Sequence, residues 1–200
     1  MAVAEPRDPY GAALCAVRRF VDAGRFTPGE AIVITELAAE VGLSPTPVRE
    51  ALACLAGQGL IERRKGRGYF YPALKAADVI DLFELQRAFL HAALTLYPRG
   101  LTPLRKAASS VDPLDGVQTL FNGLVAQCGN MALTLAHERL NDRLRSVLVA
   151  EHRRNRAGAD AARTMIEATV EGRIPDLLAL IEGFYERRCA RTPALVAELS

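Results

Sequence analysis

The chain has 200 residues, half of them hydrophobic, with 25 Lys and Arg against 23 Asp and Glu. This length suits one large domain or two small ones, and a net charge of only +2 excludes a polycation that holds nucleic acid by bulk charge. No apolar run approaches the roughly 20 residues that cross a bilayer. The opening MAVAEPRDPYGAAL lacks the basic-then-apolar order of a secretory signal, so a cytoplasmic protein is expected.

Four cysteines, Cys15, Cys54, Cys128 and Cys189, are far apart and share no metal-type spacing. Three fall within apolar helical patterns, so buried, reduced thiols are expected. Residues 1–75 hold ten basic and eight acidic side chains, residues 76–200 fifteen of each, and the excess sits in ERRKGRG, 62–68.

Residues 1–9 read as a lead-in. A first helix is predicted from Tyr10 to Ala23, with Leu14, Val17 and Val21 inward beside Cys15 and Phe20, Arg18 and Arg19 in solvent, and Gly24 at its end. RFTPGEAIV reads as a turn at Pro28-Gly29 and a short extended segment. Thr35 is the expected cap of a second helix that buries Leu37, Ala38 and Val41 and ends at Gly42. Leu43 turns inward. Ser44 then caps a third helix, with Pro45 in first position and Pro47 still in the first turn. Val48, Ala51, Leu52 and Leu55 recur at helical spacing, and Arg49 falls off that face.

Two short helices joined by a tight glycine turn form a helix-turn-helix, whose second helix reads DNA. An outward Arg near its start can pair with guanine O6 and N7. By itself this helix could equally be an amphipathic helix with a surface Arg. Leu60 and Ile61 are expected to begin a strand, Arg63 to Gly68 to make a basic turn, and YFYPAL to return as a second strand. Such a hairpin is a wing: Lys65 and Arg67 attract phosphate, and Gly66 and Gly68 allow close approach.

Residues 10–75 resemble the DNA-binding domain of the GntR family of bacterial transcription regulators. The resemblance is carried by Gly24, Thr27-Pro28-Gly29, Leu37-Ala38, Val41-Gly42-Leu43-Ser44, Thr46 to Leu52, Leu55, Gly59-Leu60 and Gly66-Arg67-Gly68. It implies that Ser44, Thr46 and Arg49 face DNA, with the neighbouring Thr35 and Pro45, and that the Lys65–Gly68 tip enters the minor groove. Pro45 and Thr35 depart from the pattern, because many members carry a base-contacting Arg at the first position and some carry an Arg at the second. Glu50 is assigned to the helix or the domain junction.

Pro72 and Lys75–Asp78 read as a linker. Asp78 is the expected cap of a long helix over Val79–Tyr97, striped by Val79, Leu82, Phe83, Phe89, Leu90, Ala93 and Tyr97 and ended by Pro98-Arg99-Gly100. LTPLRKAASSVDPLDG suggests a short helix or loop. Asp112 or Asp115 opens a helix through Cys128, with Leu114, Val117, Phe121, Leu124 and Val125 inward. After a break at Gly129-Asn130 come helices over Met131–Arg154, Asp160–Glu171 (with Gly158 in the preceding break) and Ile174–Cys189. The predicted fold is therefore mainly α: a winged helix-turn-helix over 1–75, of three helices and a β-hairpin, then a bundle of five or six helices over 76–200.

Asp78, Leu85-Gln86-Arg87, Phe121, Gly129-Asn130 and Glu151-His152 resemble the FCD effector domain of the FadR subfamily. Many FCD domains hold a divalent metal through an Asp, a His four residues on, and two later His. Here those positions are Gln118, Asn122, His152 and a site near Phe184 or Tyr185. One His with two neutral amides is an incomplete ligand set, so no cofactor is expected. A cavity lined by Gln118, Asn122, Arg145 and His152 could hold a small organic acid without metal. The alternative is a solvated face shared with Arg153, Arg154 and Arg156. No phosphate loop, metalloenzyme motif or nucleophile elbow appears, and His91 and His137 read as surface or packing residues, so catalysis is not expected. The sequence thus points to a homodimeric repressor of a metabolic operon, bound to an inverted repeat of double-stranded DNA and controlled by a small carboxylate. The alternative is a DNA-binding dimer whose helical domain senses nothing.

Overall fold

Two apolar patterns, separated by irregular chain at 71–75, fold into two units, one up to Leu74 and one from Lys75 to Glu198. The computed structural model describes residues 8–96, 100–154 and 157–199. The lead-in before Asp8, Tyr97, Pro98-Arg99, Arg156 and the side chains of Arg153 and Arg154 lie outside the described residues.

In the first unit α1 (Pro9–Asp22), α2 (Ile34–Val41) and α3 (Pro45–Gly57) surround an apolar centre. Asp8 starts α1 by accepting the Gly11 N–H at 2.8 Å. Val48, Ala51, Leu52 and Leu55 are at most 1% exposed, and they hold α3 against α1 and α2. Burying each Leu is worth about 1.5–3 kcal/mol. The α2–α3 turn is set by Gly42 at φ +69, which lets Gly42 N–H reach Ala39 O (3.3 Å) and Leu43 N–H reach Ala38 O (3.0 Å).

Neither expected side-chain cap forms. The N-cap of α2 is Val33, and Thr35 lies exposed inside the first turn. Ser44 is the N-cap of α3 but makes no capping bond. The third helical position is Pro47, which has no N–H, so the usual donor to a capping hydroxyl is missing. Arg18 is not simply solvated, since it donates to Gln58 Oε1 at 2.7 Å.

The wing strands are shorter than predicted: β2 is Glu62–Arg64 and β3 is Gly68–Phe70. Leu60 and Ile61 are core residues, 2% exposed, ahead of β2. The extended segment after Pro28-Gly29 becomes β1 (Ala31–Ile32), which pairs antiparallel with β3 so that Ile32 meets Tyr69. The sheet order is β1-β3-β2, three strands where a two-stranded hairpin was expected.

The second unit is helical: α4 (Ala76–Thr95), α5 (Leu101–Ser109), a 3-10 turn at Pro113–Asp115, α6 (Val117–Ala126), α7 (Met131–Arg154), α8 (Ala157–Glu171) and α9 (Ile174–Leu199). Phe83, Leu90, Leu120, Phe121, Leu124, Leu144, Leu177 and Tyr185 form its centre. Several expected boundaries move. Asp78 is not the cap of α4 but lies in its first turn, where it accepts the Lys75 N–H at 3.2 Å. Asp112 caps the 3-10 turn instead of α6, accepting Leu114 N–H at 2.9 Å, and this leaves Leu114 outside, 74% exposed. Gly158 is inside α8, not in a break. α9 does not stop at Cys189 but continues through Pro193. A proline in a helix costs one backbone bond, here the one to the carbonyl of the partly exposed Cys189. Of the four thiols, all free, only Cys128 is buried and Cys15 is exposed, because helical rotation carries Cys15 off the Ala13–Val17 face.

Candidate functional site

α3 offers its unburied face from its N-terminus. Ser44, Pro45, Thr46 and Arg49 are exposed, with Glu50 and Ala53 continuing the same side, and Val48 points the other way. Pro45 and Pro47 carry no N–H, so the uncapped start of the helix keeps the Thr46 N–H and the Ser44 hydroxyl open. Of the first three helical positions only Thr46 therefore offers a backbone N–H to an anion. Thr35 is exposed on α2.

The wing tip, Lys65–Arg67, joins β2 to β3, closed by Arg67 N–H on Arg64 O at 3.0 Å. Gly66 (φ +72) and Gly68 (φ +95) adopt left-handed backbone. Lys65, Gly66, Arg67, Gly68 and Arg63 are exposed. Arg64 is different. Its Nε and second N–H group each meet a Glu62 oxygen at 2.9 Å, and its guanidinium lies 4.1 Å over the Phe70 ring. That two-point grip holds the Glu62 carboxyl below its ordinary range. The basic run therefore splits into a structural Arg64 and the exposed Arg63, Lys65 and Arg67, of which Arg67 lies 5.8 Å from the Phe70 ring centre.

In the second unit a network of amides joins four helices. Gln86 of α4 is fully buried. Its Nε2 donates to Asn141 Oδ1 (2.6 Å) and Gln118 Oε1 (3.3 Å), and its Oε1 accepts from Tyr185 OH (2.7 Å) and Arg188 (3.1 Å). Gln118 and Asn141 both donate to Asn122 Oδ1 at 2.9 Å. Every polar atom of Gln86 is thus satisfied, as a buried amide requires. Asn141 Nδ2 also lies 3.3 Å from His137 Nδ1, so with Nδ1 accepting, the His137 proton sits on Nε2, which is buried without a partner among the described residues. Burial alone pushes His137 down to about 4.

A cleft of about 490 Å³ opens beside this network. Gln118 and His152 line it, as the sequence suggested, and Asn122 and Arg145 do not. Asn122 is held in the amide network, and Arg145 lies toward Asp142 at 3.4 Å. The residues sequence reasoning missed are Glu151, Arg187, Arg188 and Arg191. Arg187 and Arg188 lay within the predicted last helix, on the stripe running on from Leu177 and Ile181, but ending that helix at Cys189 left Arg191 off it; Glu151 is contributed by α7.

The positions that resemble metal ligands do not suit a metal. Gln118 and Asn122 bond to each other, Phe184 and Tyr185 pack as aromatics with centroids 5.6 Å apart, and Tyr185 OH serves Gln86. No three His, Cys, Asp or Glu side chains gather among the described residues, and none of the described helices is long and apolar enough to cross a membrane.

The family model "Bacterial regulatory proteins, gntR family" matches residues 9–70. The Nta operon transcriptional regulator of Aminobacter aminovorans is 46% identical over 65 residues, 32% of this chain and 30% of that protein. An uncharacterized HTH-type transcriptional regulator of Streptomyces ambofaciens is 37% identical over 87 residues, 44% of this chain and 37% of that one. The matched stretches span less than half of these relatives' own length. Among solved structures, a GntR transcriptional regulator from Rhodococcus sp. RHA1 shares the fold at TM-score 0.76 and 18% identity, over 92% of this chain and 97% of that one. E. coli McbR/YncC does so at 0.66 and 16%, over 92% and 96%. The names of the sequence relatives are those of regulators, not of enzymes. Over residues 9–70, this chain carries a domain that matches the gntR family of bacterial regulatory proteins.

Proposed function

We propose that the protein is a cytoplasmic transcription regulator that binds a double-stranded inverted-repeat operator as a homodimer. The observation that carries this reading is the outward face of α3, where Ser44, Pro45, Thr46 and Arg49 are exposed at a helix start whose inner face is fully packed. Arg49 reads a base edge in the major groove, and Ser44 and Thr46 hold the adjoining phosphate. Thr35 and Pro45 line the approach. Lys65 and Arg67 contact phosphates, with Gly66 and Gly68 against the minor-groove wall. The second unit resembles the FCD type in its helical build. It makes the dimer and takes a small organic acid in the Gln118–His152 cleft, which relieves repression. A second reading, in which the helical unit only dimerises, is favoured by two of the metal positions, Gln118 and Asn122, being amides tied into a network.

The test is titration of the full chain against its own upstream DNA and a scrambled duplex at two salt concentrations. Tight binding to the upstream DNA alone supports the regulator. Equal, salt-abolished binding to both would leave only a basic wing.

A further inference from the structure

The face of α9 on the cleft repeats every three or four residues: Phe184, Arg187 with Arg188, Arg191, then Leu195. A helix face at that spacing ordinarily presents apolar side chains to its neighbours. Here it brings three guanidiniums. Arg188 is only 7% exposed and lies 4.0 Å over the Phe83 ring. It already grips one carboxylate, with Nε 3.0 Å from both Glu151 oxygens and a further N–H on Glu151 Oε2. A guanidinium has five N–H groups, so donors remain after Glu151 and Gln86 are served. Arg187 and Arg191 line the same cleft and form no ion pair among the described residues. Among the described residues the acids lining it are Glu151 and Glu198, against three arginines and His152. Val117, Leu148, Phe184 and Leu195 supply apolar wall, and the volume is that of a small-molecule site.

We propose that this cleft binds an organic monoanion with an apolar body, without metal, its charged group held by Arg188, Arg191 and Arg187 in competition with Glu151. The binding chemistry stands on the arginines, and its effect on DNA rests on reading the second unit as an effector domain. Glu151 is the internal occupant. It keeps the buried Arg188 neutralised in the free protein, since a buried charge stripped of its partner is strongly unfavourable. An incoming carboxylate takes over the donors of Arg188 and releases Glu151, which is partly exposed and can turn to solvent. Binding therefore exchanges one tie between α7 and α9 for a tie through the ligand.

The experiment is calorimetric titration of the full chain in EDTA with benzoate and hexanoate, and with benzamide and hexanamide as neutral controls. We expect saturable binding of at least one anion and none of the amides. Arg191→Gln, at an exposed position, weakens that binding about tenfold. Glu151→Gln strengthens it, because the competitor for Arg188 has lost its charge, which a merely structural role would not do. Absence of saturation by both anions, equal binding of amides, or indifference to Arg191→Gln overturns the proposal. Operator binding by the same samples separates the two readings: an arginine-dependent anion that leaves DNA affinity unchanged keeps the site and removes effector control.

Discussion

Replacing His137 with Leu will make the protein more tolerant of mild acid. His137 is 2% exposed, its Nε2 has no partner, and its pKa is about 4 against an ordinary 6.5. At pH 7 the ring is neutral in both folded and unfolded chains. Below 6.5 the unfolded chain takes up a proton that the native state refuses, so native stability falls with pH. The loss is complete below about 4, where the native ring also titrates. At about 1.4 kcal/mol per pH unit, this interval is worth about 3 kcal/mol. The Leu variant gives up the Asn141 hydrogen bond, about 1 kcal/mol at pH 7, but carries no such acid penalty. Urea unfolding of both proteins at pH 7, 6, 5 and 4.5 checks this, because subtracting the two curves removes the carboxylates common to both. A difference in stability that stays constant from pH 7 to 4.5 would show that His137 is not buried neutral, and the packing of α7 on α4 would need revision.

Arg49→Ala will cost about 1–3 kcal/mol of operator binding per half-site and leave scrambled DNA unaffected, as read by competition binding. An unchanged operator affinity would move the reader helix elsewhere. Lys65→Ala will instead weaken all duplexes alike and lower the slope of log affinity against log salt by about one. Gly42→Ala will destabilise the first unit by about 1 kcal/mol in thermal or urea melts. No atom of the described residues lies within 4 Å of the added methyl, so the cost comes from the left-handed φ of +69. Tyr185→Phe will cost about 1 kcal/mol of stability by removing one bond to the buried Gln86 carbonyl, which Arg188 still serves.

In the first unit most of the reading lay in local chemistry. A left-handed glycine at 42 and prolines at 45 and 47 specify a helix end and a helix start within a few residues, and the Val48–Leu55 spacing orients α3 on its own axis. Even the missing Ser44 cap was legible, because Pro47 has no N–H to give it. The pairing of β1 with β3 was not, since two residues of extended chain carry no register until Tyr69 is beside them. In the second unit, reading the last helix on through Pro193 would have added Arg191 to the face that already held Arg187 and Arg188.

What the sequence determined alone is the class of most helices, the outward face of α3 and the basic tip of the wing, because helical period, turn residues and charge act over a few neighbours. What only the tertiary structure decided is partnership. Arg64 is withdrawn from the wing by Glu62 and Phe70, and Gln86 is the hub of a network reaching Asn141 and Arg188. Asn122 and Arg145 are turned away from a cleft that Gln118 and His152 share with α9. Side chains 37 to 102 residues apart, such as Glu151 with Arg188 and Gln86 with Arg188, meet only through the rotation and packing of whole helices, and no local period encodes that.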